Sequence, residues 1–187
     1  TSGYDADGLM TWADANIWAD QLSYGGLDEW RLASANLMNG ASPCHAYDGS
    51  CDLGYNNTTG ELGHMFYNNL GNLGYNDASG SARSSGYGVT NSSFTDGDSG
   101  DSVSILNLMI NTYWYGEEYA AFTSSGPAAW AFGTDNGSQG FNGKDNSRPS
   151  WAVHDGDIGA SPVPLPAGIY LFLSGLVGLG LMRGRNG

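Results

Sequence analysis

The apolar positions Trp12, Ala15, Ala19 and Leu22 fall at i, i+3, i+7 and i+10, a helical repeat that predicts an amphipathic helix over Thr11 to Leu22. Thr11 is placed to cap it, Asp14 puts an acid in the first turn, and Gly25-Gly26 ends the segment. Glu29 to Leu32 reads as a short strand, and Ala33 to Tyr55 as a loop. Leu62, Met65, Phe66 and Leu70 return to helical spacing and predict a second helix over Thr59 to Leu70, followed by Gly71. Residues 71–101 are poor in large apolar side chains and rich in Gly, Ser, Asn and Asp, the pattern of a long irregular loop or of a partly disordered segment. A short apolar stretch, Val103 to Ile110, comes next. Aromatic β-formers then mark a strand over Thr112 to Tyr119, and Ala128 to Gly133 marks another. Asp135-Asn136-Gly137 is a hairpin signal, with Gln139 to Asn142 as the returning strand and Trp151 to His154 as the last. The expected fold class is α+β, with two early helices and an antiparallel sheet of short strands.

The pattern changes at the C-terminal end. Residues 167–182 carry no charge and are mostly Leu, Gly, Ile, Val and Phe. As a helix rising about 1.5 Å per residue they would span roughly 24 Å, a little short of a hydrocarbon core of about 30 Å. Arg183 and Arg185 can snorkel to headgroups and Tyr170 can sit at the opposite interface, which narrows the gap. One C-terminal transmembrane helix is therefore expected over 168–182. It would follow a domain over 1–160 and a Pro-rich linker over 161–167, and precede a basic cytoplasmic tail over 183–187. Basic residues stay cytoplasmic, which would leave residues 1–160 outside.

Composition adds compartment and charge. The chain of 187 residues carries a net charge of −13, and all its acids precede Ile158. Without the two tail arginines, four basic residues stand against nineteen acidic ones. Such a surface repels nucleic acid and suits an extracellular protein, a cation or a basic partner. Cys44 and Cys51 flank a six-residue segment containing His45 and Asp48. In an oxidising compartment the pair reads as a disulfide; the alternative is a metal site with His45 and Asp48. The chain starts in a polar stretch at Thr1, and an outward-facing domain implies that an export signal has been removed or that this is a fragment.

Val163-Pro164-Leu165-Pro166-Ala167, the apolar run after it, and Arg183 with Arg185 together resemble the VPLPA variant of the PEP-CTERM sorting signal. That resemblance implies a Gram-negative envelope protein, processed near the motif by an exosortase, in a class linked to biofilm and exopolysaccharide production. A second resemblance covers residues 9 to 157. It rests on Met10-Thr11-Trp12-Ala13-Asp14-Ala15, Trp30-Arg31-Leu32, Gly63-His64-Met65-Phe66-Tyr67, Tyr113-Trp114-Tyr115-Gly116-Glu117-Glu118-Tyr119 and Trp151-Ala152-Val153-His154-Asp155-Gly156-Asp157. In this order they resemble the Lcl C-terminal domain family. Ala33 stands where that family has Pro, Tyr115 and Glu117 where it has Ser and Thr, and His154 where it often has Arg. The resemblance implies a C-type lectin-like fold and no catalytic residues.

Candidate chemistry is sparse. Trp12, Trp30, Trp114, Trp130 and Trp151 sit at patterned positions that predict packing, whereas Trp18 falls on a more exposed helix face and is the better contact candidate. Arg31 is expected to pair with an acid such as Glu117 or Glu118. His64 is expected to be a satisfied, partly buried histidine; His45 and His154 stand alone. No nucleophile-elbow serine or HExxH motif occurs, so no enzyme activity is expected. Asp96, Asp98 and Asp101 offer hard oxygens on a flexible backbone, as a calcium loop or a solvated one; no other cofactor is expected.

The expected function is non-enzymatic: a membrane-anchored envelope protein that binds a protein or an envelope polysaccharide and serves as an exosortase substrate. The alternative is an accessory subunit of an integral membrane complex, photosynthetic or respiratory, with the tail retained against other membrane-protein subunits. Ser174 and Gly178, small residues one turn apart, would allow close packing there.

Overall fold

The structure, a computed structural model, describes residues 7–40, 43–120 and 126–155. These belong to a unit that runs from Thr1 to Asp155. The sorting motif Val163 to Ala167, the membrane-anchor residues Tyr170, Arg183 and Arg185, and the packing pair Ser174 and Gly178 lie outside the described residues.

The first helix, α1, spans Trp12–Asp20. The Thr11 hydroxyl accepts the Asp14 N–H at 3.3 Å, which satisfies one of the donors left open at a helix start. Short strands β1 (Arg31–Leu32), β2 (His45–Ala46) and β3 (Leu53–Gly54) follow. Helix α2 is one turn, Glu61–His64, and runs into a π-helical turn over Met65–Asn69, where the Leu70 N–H reaches the Met65 carbonyl at 2.9 Å. Then come β4 (Ser93–Thr95), β5 (Ser102–Ser104), β6 (Thr112–Tyr119), β7 (Ala128–Gly133), β8 (Gln139–Gly143) and β9 (Ala152–Val153).

The central sheet has the order β2-β3-β8-β7-β6, with β2 and β3 parallel and the other neighbours antiparallel. β1 pairs with β9, and β4 with β5. Every residue of β7 is buried. Its side chains alternate between two cores, as strand geometry requires. Trp130 and Phe132 join Tyr113, Tyr115, Leu62 and Phe66 on the α2 side. Ala129 and Ala131 face Trp114, Met10, Leu32 and the α1 residues Ala15 and Ala19 on the other. Alanine at both strand positions and both helix positions is what lets α1 lie close against the sheet.

Several expectations are corrected here. The described chain is mostly sheet with two short helices, not an α+β domain with two full helices. The sheet is mixed, not purely antiparallel. The predominance of short strands over helix corrects the expected α+β fold class. No helix among the described residues is long and apolar enough to cross a membrane; residues 168–182, on which a transmembrane helix was read, lie outside the described residues. The predicted loop over 71–101 contains β4, and is ordered before it by a buried amide. Asn72 is 1% exposed; its Oδ1 accepts the N–H groups of Thr90 and Asn91, each at 2.9 Å. Cys44 and Cys51 are joined in a disulfide, with Cα atoms 5.2 Å apart, so neither sulfur is a metal-binding thiolate.

Arg31 pairs with neither Glu117 nor Glu118. Its guanidinium makes a two-pronged contact with Glu61, at 2.7 and 2.8 Å, and a second contact with Asp155 at 2.5 Å. Glu61 also accepts the Ser34 N–H at 2.6 Å, while Glu117 takes the Ser34 hydroxyl and the Ala35 N–H. A bulge between Trp114 and Glu118 in β6 aims Glu117 there. The Arg31 hydrogen bonds hold the Glu61 carboxyl below its ordinary value of 4.5. A depressed carboxylate stabilises the fold above its unfolded value, and that contribution is lost as pH falls through the folded one. Stability should therefore fall as pH drops below about 4.5, and urea midpoints taken from pH 6 to 3 should fall less steeply in Glu61→Gln. Equal slopes in the two proteins would remove Glu61 as the acid-sensitive group.

Candidate functional site

Three of the six tryptophans, drawn from three separate stretches, line one open groove of about 540 Å³. Trp18 comes from α1, Trp30 from the approach to β1, and Trp151 from the approach to β9. Tyr24, Tyr113 and the segment Ile105–Met109 complete the walls, with Pro149 and Ser150 beside Trp151.

Local structure fixes Tyr24, Trp30 and Tyr113. Tyr24-Gly25-Gly26-Leu27 is a tight turn closed by two hydrogen bonds, Tyr24 N–H to Leu27 carbonyl at 3.0 Å and the reverse at 3.1 Å. Gly25 and Gly26 have φ of 64° and 80°, the left-handed pair that a primed two-residue turn requires and that side chains disfavour. The turn leaves Tyr24 70% exposed. The Trp30 indole N–H donates to the Leu27 carbonyl at 3.0 Å, so its ring is pinned to the same turn. Tyr24 and His154 both meet Trp30 edge to face, at centroid distances of 6.2 and 5.4 Å. The Tyr113 hydroxyl accepts the Met109 N–H at 2.8 Å, which ties the far wall to β6, and burial raises the Tyr113 pKa. Two non-glycine residues with positive φ flank the groove: Glu29 at 64°, beside Trp30, and Asn107 at 59°, in the wall. Backbone strain of this kind gathers at binding sites.

Among the described residues the polar lining side chains besides the two tyrosines are Asp7, Asn107 and Ser150, with no histidine, cysteine, lysine or arginine. The Ser150 hydroxyl is buried and has no hydrogen-bond partner among the described residues. Aromatic rings with a few hydrogen-bonding groups, one of them the Asp7 carboxylate, suit the apolar faces and hydroxyls of a sugar.

No family model matches this chain, and neither does a curated protein or a solved structure.

Among the sequence candidates, Trp18, expected on a more exposed helix face, is half-buried, packs against the core beneath α1 and lines the groove wall. Trp30 and Trp151, read as packing positions, are in that wall too and only partly buried. Trp114 and Trp130 are core residues, 0% and 2% exposed. Trp12 is covered: its N–H donates to the Tyr115 carbonyl at 2.9 Å, and the Lys144 ammonium sits 4.2 Å from its ring centroid. His64 is exposed rather than partly buried, with its Nδ1 3.0 Å from the Asn68 amide. His154 is not isolated but packs on Trp30.

Asp96, Asp98 and Asp101 form no metal cluster; no group of three or more His, Cys, Asp or Glu suited to a metal ion occurs among the described residues. The Asp96 carboxylate instead accepts the N–H groups of Asp98 and Ser99 at 2.8 Å each, and these bonds hold its pKa below the usual range. It shapes the turn between β4 and β5. The sequence offered one signal for the groove beyond Trp18, a Gly-Gly turn carrying Tyr24 just before Trp30.

Proposed function

We propose that this chain is a non-enzymatic envelope protein that works by binding, and that it holds a polysaccharide in the groove of Trp18, Trp30 and Trp151. The observation that carries the reading is the convergence of three tryptophans and Tyr24 on one open surface groove, with Trp30 pinned to the turn that carries Tyr24. A pre-set aromatic wall binds without first ordering its side chains, which removes part of the entropic cost of association.

The disulfide and the acidic surface favour a compartment outside the cytoplasm. Membership of the Lcl C-terminal domain family and processing by an exosortase at Val163 to Ala167 are parts of the same proposal, and rest on the sequence motifs alone.

Calorimetric titration with soluble glycan chains tests it. Trp18→Ala and Tyr24→Ala should each weaken binding about tenfold, while Trp18→Tyr, which keeps a ring, should lose much less. Ile17→Ala, on the same helix but outside the groove and 50% exposed, should bind as the parent does. Affinity unchanged in both ring deletions would refute the groove as the site.

A further inference from the structure

The charge distribution around the groove narrows the ligand further, taking its role as a polysaccharide site as given. All four basic residues of the described chain are engaged elsewhere. Arg31 is bound by Glu61 and Asp155, and Lys144 by Glu118 and the face of Trp12. Arg83 donates to the Gly74 carbonyl at 2.7 Å. Arg148, next in sequence to the groove residue Pro149, is turned towards Asn111 and Asn142, each at 3.4 Å. None of the four lines the groove, whose single charged lining residue among the described residues is the acid Asp7. Its described lining therefore offers no cation to a carboxylate or sulfate, and it sits on a chain of net charge −13. Recognition of a uronate or sulfate chain needs the opposite arrangement, because each repeat brings another negative charge into the same field.

We propose that the groove selects uncharged glycan chains and excludes anionic ones. Selection comes from the lack of a cation among the described lining residues and from repulsion by Asp7 and the net negative charge of the chain, and not from the shape of the aromatic wall, which a neutral and a uronate pyranose fit alike. One exposed position can reverse it. Leu106 is in the groove wall and 81% exposed, so a lysine there brings a cation to the site without disturbing the core.

The test uses the full chain and two soluble probes of matched length, a cello-oligosaccharide and an oligogalacturonate, titrated at low and at high salt. The neutral probe should bind at least about tenfold more tightly at low salt, and added salt should shrink the gap by screening. Leu106→Lys should improve oligogalacturonate binding relative to that of the cello-oligosaccharide, and so narrow the gap between the two probes. If oligogalacturonate binds the parent as tightly as the neutral probe, and Trp18→Ala abolishes both, charge selection is overturned while the polysaccharide reading stands. If neither probe binds, both fall together.

Discussion

Trp114→Ala should cost about 3–5 kcal/mol, the usual range for deleting a fully buried indole. The upper part of that range is expected because of what surrounds the ring. Trp114 is 0% exposed, and its core partners include Ala15, Ala19, Ala129 and Ala131. Alanines have no side-chain freedom with which to fill a void, so the cavity persists unless α1 itself moves in. The indole N–H also donates to the Met10 carbonyl at 3.0 Å, and its loss removes one of the two bonds that carbonyl accepts, the other coming from the Arg148 N–H at 2.9 Å. Against a total stability of about 5–15 kcal/mol this is a large fraction. Urea denaturation measures it, with Trp114→Phe expected to fall between parent and alanine variant. A loss below about 1 kcal/mol would mean that α1 closes the gap, contrary to the packing described.

Gly63→Ala should be destabilising by about 3 kcal/mol, although glycine to alanine in a helix ordinarily stabilises by up to about 1 kcal/mol. The reversal is steric. A Cβ on Gly63 would lie 2.2 Å from the backbone carbonyl oxygen of Asn57. That carbonyl cannot easily retreat. Asn57 is 0% exposed, its side-chain amide donates to the Cys51 carbonyl at 2.9 Å, and its Oδ1 accepts the Thr59 N–H at 2.9 Å. Gly140→Ala is the control, since a Cβ there meets nothing within 4 Å. Thermal melts should show a large drop for the first and little change for the second; similar melts would dismiss the close approach as the reason for glycine.

The parts of the fold that could be read from the sequence are those where side-chain pattern is dense. Thr112–Tyr119 and Ala128–Gly133 were legible as strands because Tyr113-Trp114-Tyr115 and Ala128 to Phe132 are dense runs of aromatic and apolar residues, and α1 because a cap precedes a helical repeat. The parallel pair β2 and β3 was not. Each is two residues long, and Gly54, with φ of 116°, lies so close to the Ala46 carbonyl that a Cβ would be 1.9 Å from it. That is backbone fit, which no periodicity reveals. The hairpin of β4 and β5 is written in Ser-Phe-Thr and Ser-Val-Ser, too polar to stand out from a loop. The second helix kept its apolar spacing but only one turn is α-helical, because the π turn is a matter of hydrogen bonding and leaves the composition untouched. At the groove, Trp18 was visible on its helix, while Trp30 and Trp151 acquire their role only when β1 and β9 pair. The partner of Arg31 was hidden for the same reason, lying 30 and 124 residues away.

The bond between Arg31 and Asp155 also has a mechanical meaning. Tension entering the fold from the chain that follows Asp155 meets this ion pair first, and behind it the two-residue ladder of β1 and β9. Arg31 passes the load sideways to Glu61, at the start of α2, before it reaches the Trp114 core. A pull on this end is thus borne by a charged clasp at the surface that can part and re-form in water, and the groove wall at Trp151 hangs from the strand which that clasp holds in place.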